Sequence, residues 1–237
     1  LKKSVCDANL DLVFHGLVKM TFGNASAIDR EAGLVVIKPS GLSYEKMKSR
    51  DMVVVNLAGE VVEGEYKPSV DLPTHLRLYE AFPAVGGVAH SHSHYATCWA
   101  QACRAIPCLG TTHADYFYGE IPVCEALSEE DVGNHYERAI GDSIVKAFDQ
   151  RDPLECPGVL VANHAPFAWG GRRHRNRWHR HRGPPHPVDA PGQQPWLIRN
   201  VDIRQAAAVA GCGYPAAVHE HAAAGSDEWR EHLISGP

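Results

Sequence analysis

Two apolar runs of this sequence end beside histidines, and this arrangement constrains the fold more than any other feature. Residues 86–90 (GGVAH) predict a buried strand that ends at His90, and His92 follows two residues later. Because side chains at i and i+2 of a strand lie on the same face, both imidazoles are expected to point the same way. Residues 158–162 predict a second buried strand, shortly before His164.

Three imidazoles that converge from two strand ends can bind zinc and leave a coordination position open for a substrate. The alternative for an isolated His-x-His pair is two histidines that form hydrogen bonds at a sheet edge. His94 continues the series, and we interpret it as a solvent-facing residue or a neighbour of the ligands. His75 and His113 are equally compatible with packing in the core.

The remaining patterns favour a mixed fold. Residues 1–15 have apolar side chains at helical spacing, Pro73 suits a helix start, and Ser128 followed by Asp131 indicates a helical segment reaching Phe148. Residues 34–37 and 52–55 are β-branched runs typical of strands. Helices and strands do not alternate strictly, so we expect an α/β sandwich with a mostly antiparallel central sheet flanked by helices.

Charge and composition narrow the choice of partners. The net charge of −5 gives no general attraction to nucleic acid or to an anionic membrane. No run approaches the ~20 apolar residues that span a bilayer, and the start lacks a signal-peptide core, so a cytoplasmic location is expected. Cys98, Cys103 and Cys108 match neither a zinc ribbon nor a redox motif, and we expect most cysteines to be reduced core residues.

The composition changes after Gly170. Residues 1–170 contain eight lysines and six arginines, whereas residues 171–237 contain nine arginines and no lysine. We therefore predict a domain of residues 1–170 and an atypical, largely irregular Arg/Pro-rich tail of residues 171–237.

We interpret the tail as the product of a reading-frame shift near Gly171, because arginine in place of lysine is typical of GC-rich DNA read out of frame. Codons for GRRHRNRW, read one nucleotide later, can also encode ADATETVG. If the tail is native, it is a flexible basic linker, or its arginines around Trp178 bind nucleic acid.

Five segments of residues 1–170 carry a family resemblance. In order they are FGNASAIDREAGLVVIKPSG, KPSVDLPTHLRLYEAFP, GGVAHSHSHYATCWAQ, GTTHADYFYGEIP and PGVLVANHAPFAWG. Together they resemble the L-ribulose-5-phosphate 4-epimerases of the class II, zinc-dependent aldolase and epimerase superfamily. TTHADYFYG resembles the epimerases rather than the aldolases. The resemblance implies the class II aldolase fold and a homotetramer with active sites between subunits.

The resemblance also implies a reaction. L-ribulose 5-phosphate is converted to D-xylulose 5-phosphate by retro-aldol cleavage of the C3–C4 bond and re-addition after rotation of the aldehyde, with a divalent metal as Lewis acid. The metal is Zn²⁺, or another dication such as Mn²⁺ or Co²⁺. A related sugar-phosphate aldolase and a metal-binding protein without turnover remain alternatives.

The site residues that the resemblance implies fall into three groups. The metal ligands are Asp71, His90, His92 and His164, although Asp71 could instead cap a helix. The phosphate-binding residues are Gly23, Asn24, Lys38, Ser40, Gly41, Ser69 and Val70, with Val70 in place of the family's second serine. Lys38 could instead be a surface lysine. The catalytic residue is Asp115, a proton-transfer group, with Thr111 and Glu137 in support.

One family residue has no counterpart here. The second proton-transfer group is a tyrosine near the C-terminus, and nothing in residues 171–237 matches its segment. Tyr214 is the only tyrosine there, and its surroundings, GCGYPAA, differ from the family pattern. We therefore do not assign this role to any residue of the chain.

Overall fold

The computed structural model describes residues 1–171, which form seven strands, six α-helices and one 3-10 turn. The strands are β1 Asn24–Asp29, β2 Leu34–Ile37, β3 Val53–Asn56, β4 Val61–Glu63, β5 Gly87–His90, β6 Gly158–Leu160 and β7 Pro166–Gly170. The helices are α1 Lys2–Phe14, α2 Leu72–Ala81, α3 His94–Gln101, α4 Thr111–Tyr116, α5 Glu129–Asn134 and α6 Tyr136–Ala147, with the 3-10 turn at Ser49–Asp51.

All seven strands belong to one sheet, in the order β4-β3-β2-β1-β5-β7-β6. Every neighbouring pair is antiparallel, which confirms the predicted mostly antiparallel sheet. The sequence patterns did not predict β1 or β7. The segment NASAID has few β-branched residues and PFAWG begins with proline, so their strand conformation depends on pairing with β5, which lies between them.

Helices cover both faces of this sheet, and the side-chain alternation of the strands explains why. Val35 and Ile37 of β2 pack into a core that includes residues of α2, α3 and α6. Val36, between them in sequence, packs into a second core with α1. Because successive strand residues point to opposite faces, one apolar run supplies both cores. The predicted sandwich with flanking helices is confirmed.

Helices α2 and α6 lie side by side and run in the same direction. The Thr74 hydroxyl donates to the carbonyl oxygen of Glu137, and one turn later Arg77 donates to the carboxylate of Asp142. The close approach requires Gly141, since a Cβ there would lie 2.7 Å from Cβ of Arg77. The N-terminal ends of both helices therefore lie at the same side of the sheet.

Other sequence predictions are corrected. The segment from Ser128 to Phe148 is two helices rather than one, because the chain breaks at His135, with φ −144° and ψ 44°. Cys98, Cys103 and Cys108 are exposed, whereas Cys6, Cys124 and Cys156 are buried as expected.

Within residues 1–171 no helix has both the length and the apolar character needed to cross a membrane. The predictions for the tail concern positions outside the described residues.

Candidate active site

Three histidines meet at one end of the central strands. One ligand atom from each of His90, His92 and His164 lies within 4.8 Å of the others. His90 is the last residue of β5. His164 lies in the turn between β6 and β7, and β7 is the neighbour of β5 in the sheet. His92 lies two residues beyond the end of β5, in the irregular segment before α3, so strand alternation does not determine the direction of its ring. The predicted convergence of the three imidazoles is observed.

Hydrogen bonding fixes which nitrogen of His90 is available. Its Nδ1 lies 3.0 Å from the carbonyl oxygen of Pro166. A carbonyl only accepts, so Nδ1 carries the proton and the neutral ring keeps its lone pair on Nε2. This Nε2 lies 3.0 Å from Nε2 of His92. The ring of His90 also stacks on Phe167, with 4.2 Å between centroids and 19° between planes.

Burial keeps these histidines neutral. Loss of solvation lowers the pKa of His90 and of His164 well below the ordinary value, and repulsion from neighbouring histidines lowers both further. Burial also lowers the pKa of His92, against the opposing attraction of Asp71. Metals bind the neutral imidazole, so the cluster does not need to lose protons before binding at neutral pH.

The cluster has dimensions that suit a metal ion. Zinc–nitrogen bonds of about 2.0–2.1 Å in a tetrahedral site place two ligating nitrogens roughly 3.3 Å apart. The separation of 3.0 Å between Nε2 of His90 and Nε2 of His92 is close to this value. One buried and two half-buried imidazoles, all neutral, therefore fit a divalent ion of the zinc type.

Asp71 lies beside the three histidines but is not part of their cluster. It occupies the N-cap position of α2, as the alternative predicted, but its side chain makes no cap hydrogen bond. Its carboxylate accepts a hydrogen bond from the side-chain amide of Asn24. The pKa of His92 and of His164 is lowered by burial, and the negative charge of Asp71 partly offsets this lowering. Whether it ligates a metal stays a prediction.

The predicted phosphate-binding residues come from three loops that lie together. The Nδ2 amide of Asn24 donates to Oγ of Ser69 at 3.1 Å. The backbone N–H of Ser40 donates to the carbonyl of Lys67, and that of Ser69 to the carbonyl of Lys38, both at 2.9 Å. These two amides are therefore already used within the protein, and the Ser69 hydroxyl donates to the carboxylate of Asp71. The neighbouring backbone amides of Gly41 and Val70 remain as candidate donors for a phosphate.

Gly23 belongs to the same group and lies against the metal cluster. Its φ of +79° favours glycine, and a Cβ there would lie 2.5 Å from Cγ1 of Val18 and 3.0 Å from the carbonyl oxygen of His90. The loop can approach His90 this closely only without a side chain.

Lys38 is buried under these loops, with 2% of its surface exposed, so the alternative of a surface lysine is wrong. Its Nζ donates to the carbonyl oxygens of Thr21 and Pro39, each at 3.3 Å, and lies 4.8 Å from the ring centroid of Tyr44. Burial lowers its pKa, and the attraction of Asp71 opposes the effect. A buried cation at this place suits an anionic substrate group.

The remaining predicted residues lie on helices α4 and α6. Asp115 and Thr111 are exposed on α4, and Glu137 is half-buried near the start of α6. Their roles stay predictions. His94 is exposed at the start of α3, whereas His75 and His113 are buried. His113 contacts the carbonyl of Gly119 at 2.7 Å through Nε2.

Sequence reasoning missed three aromatic residues of the site. The Tyr136 hydroxyl lies 3.1 Å from Nδ1 of His164, and Phe22 lies beside His92 with 5.9 Å between ring centroids. Phe167 supports the ring of His90. Helical periodicity places Tyr136 on an apolar face but does not indicate its contact with His164, because each of these contacts joins segments that are distant in sequence.

Comparison with known proteins identifies the family of this chain. The family model of the class II aldolase and adducin N-terminal domain matches residues 3–179. The L-ribulose-5-phosphate 4-epimerase UlaF of Salmonella paratyphi B is 59% identical over 174 residues, which cover 73% of this chain and 76% of that protein. The UlaF protein of Salmonella paratyphi A gives the same values.

Solved structures show the same fold. An L-fuculose 1-phosphate aldolase, 25% identical, superposes with a TM-score of 0.69 over 98% of this chain and 93% of that one. The corresponding aldolase of Thermus thermophilus, 21% identical, has a TM-score of 0.63 over 87% and 90% of the two chains. With the family match spanning most of its length, this chain belongs to the class II aldolase family.

Proposed function

We propose that this protein is a metal-dependent enzyme that converts L-ribulose 5-phosphate to D-xylulose 5-phosphate by inverting C4. The observation that carries this proposal is the meeting of His90, His92 and His164 beside a group of predicted phosphate-binding loops. The substrate is inferred from the relatives that are 59% identical and are named L-ribulose-5-phosphate 4-epimerases.

The metal would be held by the three histidines, with Asp71 beside them. Zinc is the ion we propose, because imidazole binds it well and it ranks above Mn²⁺ and Co²⁺ in general affinity. When bound, a dication supplies positive charge where negative charge develops on the substrate oxygens.

Residues of the chain bind the phosphate group and transfer the proton. Lys38 and the loops of Asn24, Ser40 and Ser69 bind the phosphate, which fixes one end of the substrate. Asp115 exchanges a proton with the C4 hydroxyl group. Loss of this proton lets the C4 oxygen form an aldehyde as the C3–C4 bond breaks, and the bonding electrons move to the three-carbon fragment as an enediolate. Re-addition to the other face of the aldehyde, with return of the proton, inverts C4.

We further propose that the active enzyme is a homotetramer with sites between subunits, located in the cytoplasm. The exposure of Asp115 on α4 supports the assembly, because an exposed residue of one subunit can lie against the site of a neighbour. The acidic net charge supports a small-molecule substrate and not a nucleic acid.

The first alternative is a related sugar-phosphate aldolase. The second is a metal-binding protein without turnover, which is considered because no residue of the chain matches the family's C-terminal tyrosine. An assay with L-ribulose 5-phosphate, coupled to detection of D-xylulose 5-phosphate, separates them. The epimerase forms that product, the aldolase releases free aldehyde, and a protein without turnover binds the sugar phosphate unchanged. The same assay on a chain whose reading frame is restored after Gly171 measures the contribution of the tail.

A further inference from the structure

Tyr136 contacts His164 through both its ring and its hydroxyl group. The hydroxyl lies 3.1 Å from Nδ1 of His164. The two rings stack, with 5.9 Å between centroids and 17° between planes. Stacking restricts the plane of the imidazole, and the hydrogen bond selects which edge faces the metal cluster. The two contacts together leave little rotational freedom for the ring.

The contact parallels the arrangement at His90, where a protein oxygen also engages Nδ1 and Nε2 faces the cluster. If Nδ1 of His164 donates to the hydroxyl oxygen of Tyr136, Nε2 of His164 keeps its lone pair for a metal. Histidine ligands in proteins commonly donate their second ring N–H in this way, which fixes the tautomer and the ring orientation.

His164 needs such support more than His90 does. His90 belongs to a strand with neighbours on both sides, whereas His164 lies in the turn between β6 and β7. The residue before it, Asn163, has a φ of +60°. A backbone turn of this kind does not by itself determine the direction of the imidazole.

The position of Tyr136 is fixed by the core. It is the first residue of α6, directly after the break at His135. The next residue, Glu137, accepts a hydrogen bond through its carbonyl oxygen from Thr74 of α2. The parallel α2–α6 pair therefore places the Tyr136 hydroxyl at the same end of the sheet as the histidines.

We propose that Tyr136 is a positioning residue of the metal site, whose hydroxyl orients His164 so that Nε2 faces His90 and His92. This inference rests on the proposed metal site. Tyr136 acts through His164.

The test is the Zn²⁺ affinity of the full chain, measured by competition with a chromophoric chelator. Tyr136→Phe removes the hydroxyl and keeps the stacking ring. Tyr66→Phe makes the same change at an exposed tyrosine and is the matched control. His92→Ala measures any Zn²⁺ that the chain binds away from the three-histidine cluster. We expect Tyr136→Phe to weaken the affinity by roughly 10- to 100-fold and Tyr66→Phe to leave it unchanged.

A second measurement separates orientation from loss of packing. The absorption spectrum of the Co²⁺-loaded chain reports the ligand geometry, and we expect Tyr136→Phe to change it while the thermal unfolding midpoint of the metal-free chain stays the same. Zn²⁺ affinity and a Co²⁺ spectrum equal to those of the unmodified chain would overturn the positioning role alone. If His92→Ala binds Zn²⁺ as tightly as the unmodified chain, the metal site itself is wrong, and this inference is overturned with it.

Discussion

Nε2 of His90 lies 3.0 Å from Nε2 of His92, while Nδ1 of His90 lies 3.0 Å from the carbonyl oxygen of Pro166. The second contact fixes the tautomer of His90, so its unprotonated nitrogen faces the neighbouring imidazole. Without a metal, the facing nitrogens stay close only if His92 carries a proton on Nε2 and donates it. A metal held between the two rings would require neutral His92 to carry its proton on Nδ1 instead of Nε2, so that both Nε2 atoms offer a lone pair.

Removing one ligand should abolish metal retention. His92→Ala leaves two imidazoles, which hold a divalent ion poorly, so we expect this site to lose its Zn²⁺ on dialysis. His94→Ala is the matched control, since His94 is exposed at the start of α3. Elemental analysis of both variants measures the effect, and equal metal contents would contradict the site.

Removing the carboxylate of Asp115 should separate binding from turnover. Asp115→Asn keeps the size of the side chain but cannot exchange the proton, so we expect kcat to fall by roughly 10²–10⁴-fold. Zn²⁺ content should not change, because Asp115 is not part of the histidine cluster. Asp7→Asn on α1 is the control for a surface charge change. Full activity of Asp115→Asn would remove this residue from the mechanism.

Gly23→Ala should destabilise the protein and disturb the metal site together. The new Cβ would lie 2.5 Å from Cγ1 of Val18 and 3.0 Å from the carbonyl oxygen of His90. Gly33→Ala is the matched control, because Gly33 has a φ of +65° and nothing within 4 Å of the added Cβ.

Both glycine variants incur backbone strain of about 1–2 kcal/mol, but only Gly23→Ala adds overpacking of about 1–3 kcal/mol. Urea unfolding of the two variants gives the difference, and Zn²⁺ titration shows the effect on the site. Equal free energies of unfolding would show that the loop moves away from His90 at no cost.

Acid should destabilise the metal-free protein. Burial lowers the pKa of His75 from 6.5 to about 4, so below pH 6.5 the unfolded chain binds a proton that the folded chain does not. The free energy of unfolding therefore falls as the pH falls, by roughly 2 kcal/mol between pH 7 and pH 5 from this residue. The pKa of His90 and of His164 is lowered too, so these residues also reduce the free energy of unfolding as the pH falls.

His75→Gln isolates the contribution of His75, because it removes the titrating group and keeps a polar side chain beside Ser26. Urea unfolding in the presence of a chelator, at several pH values, measures the slope for both chains. The slope should be smaller in the variant. An unchanged slope would mean that His75 takes up a proton in the folded state as easily as in the unfolded one.

Local patterns determined much of the fold. The β-branched runs of β2 and β3 and the apolar run of β5 form strands as predicted, because alternating burial on two faces suits such side chains. The same reasoning failed for β1 and β7, which have weak strand preference and become strands only because β5 pairs with both. Backbone pairing outweighed residue preference there.

For the site, the sequence by itself determined which residue types were available. The spacing of His90 and His92, and a third histidine after another strand, predicted that three imidazoles converge, and the structure brings them together. Only the tertiary structure decided that Lys38 is buried and that the amides of Ser40 and Ser69 are already used. It also decided that Tyr136 lies against His164. The physical reason is that these contacts join segments far apart in sequence. The distance between such segments in space depends on strand order and helix packing, and no local pattern specifies these.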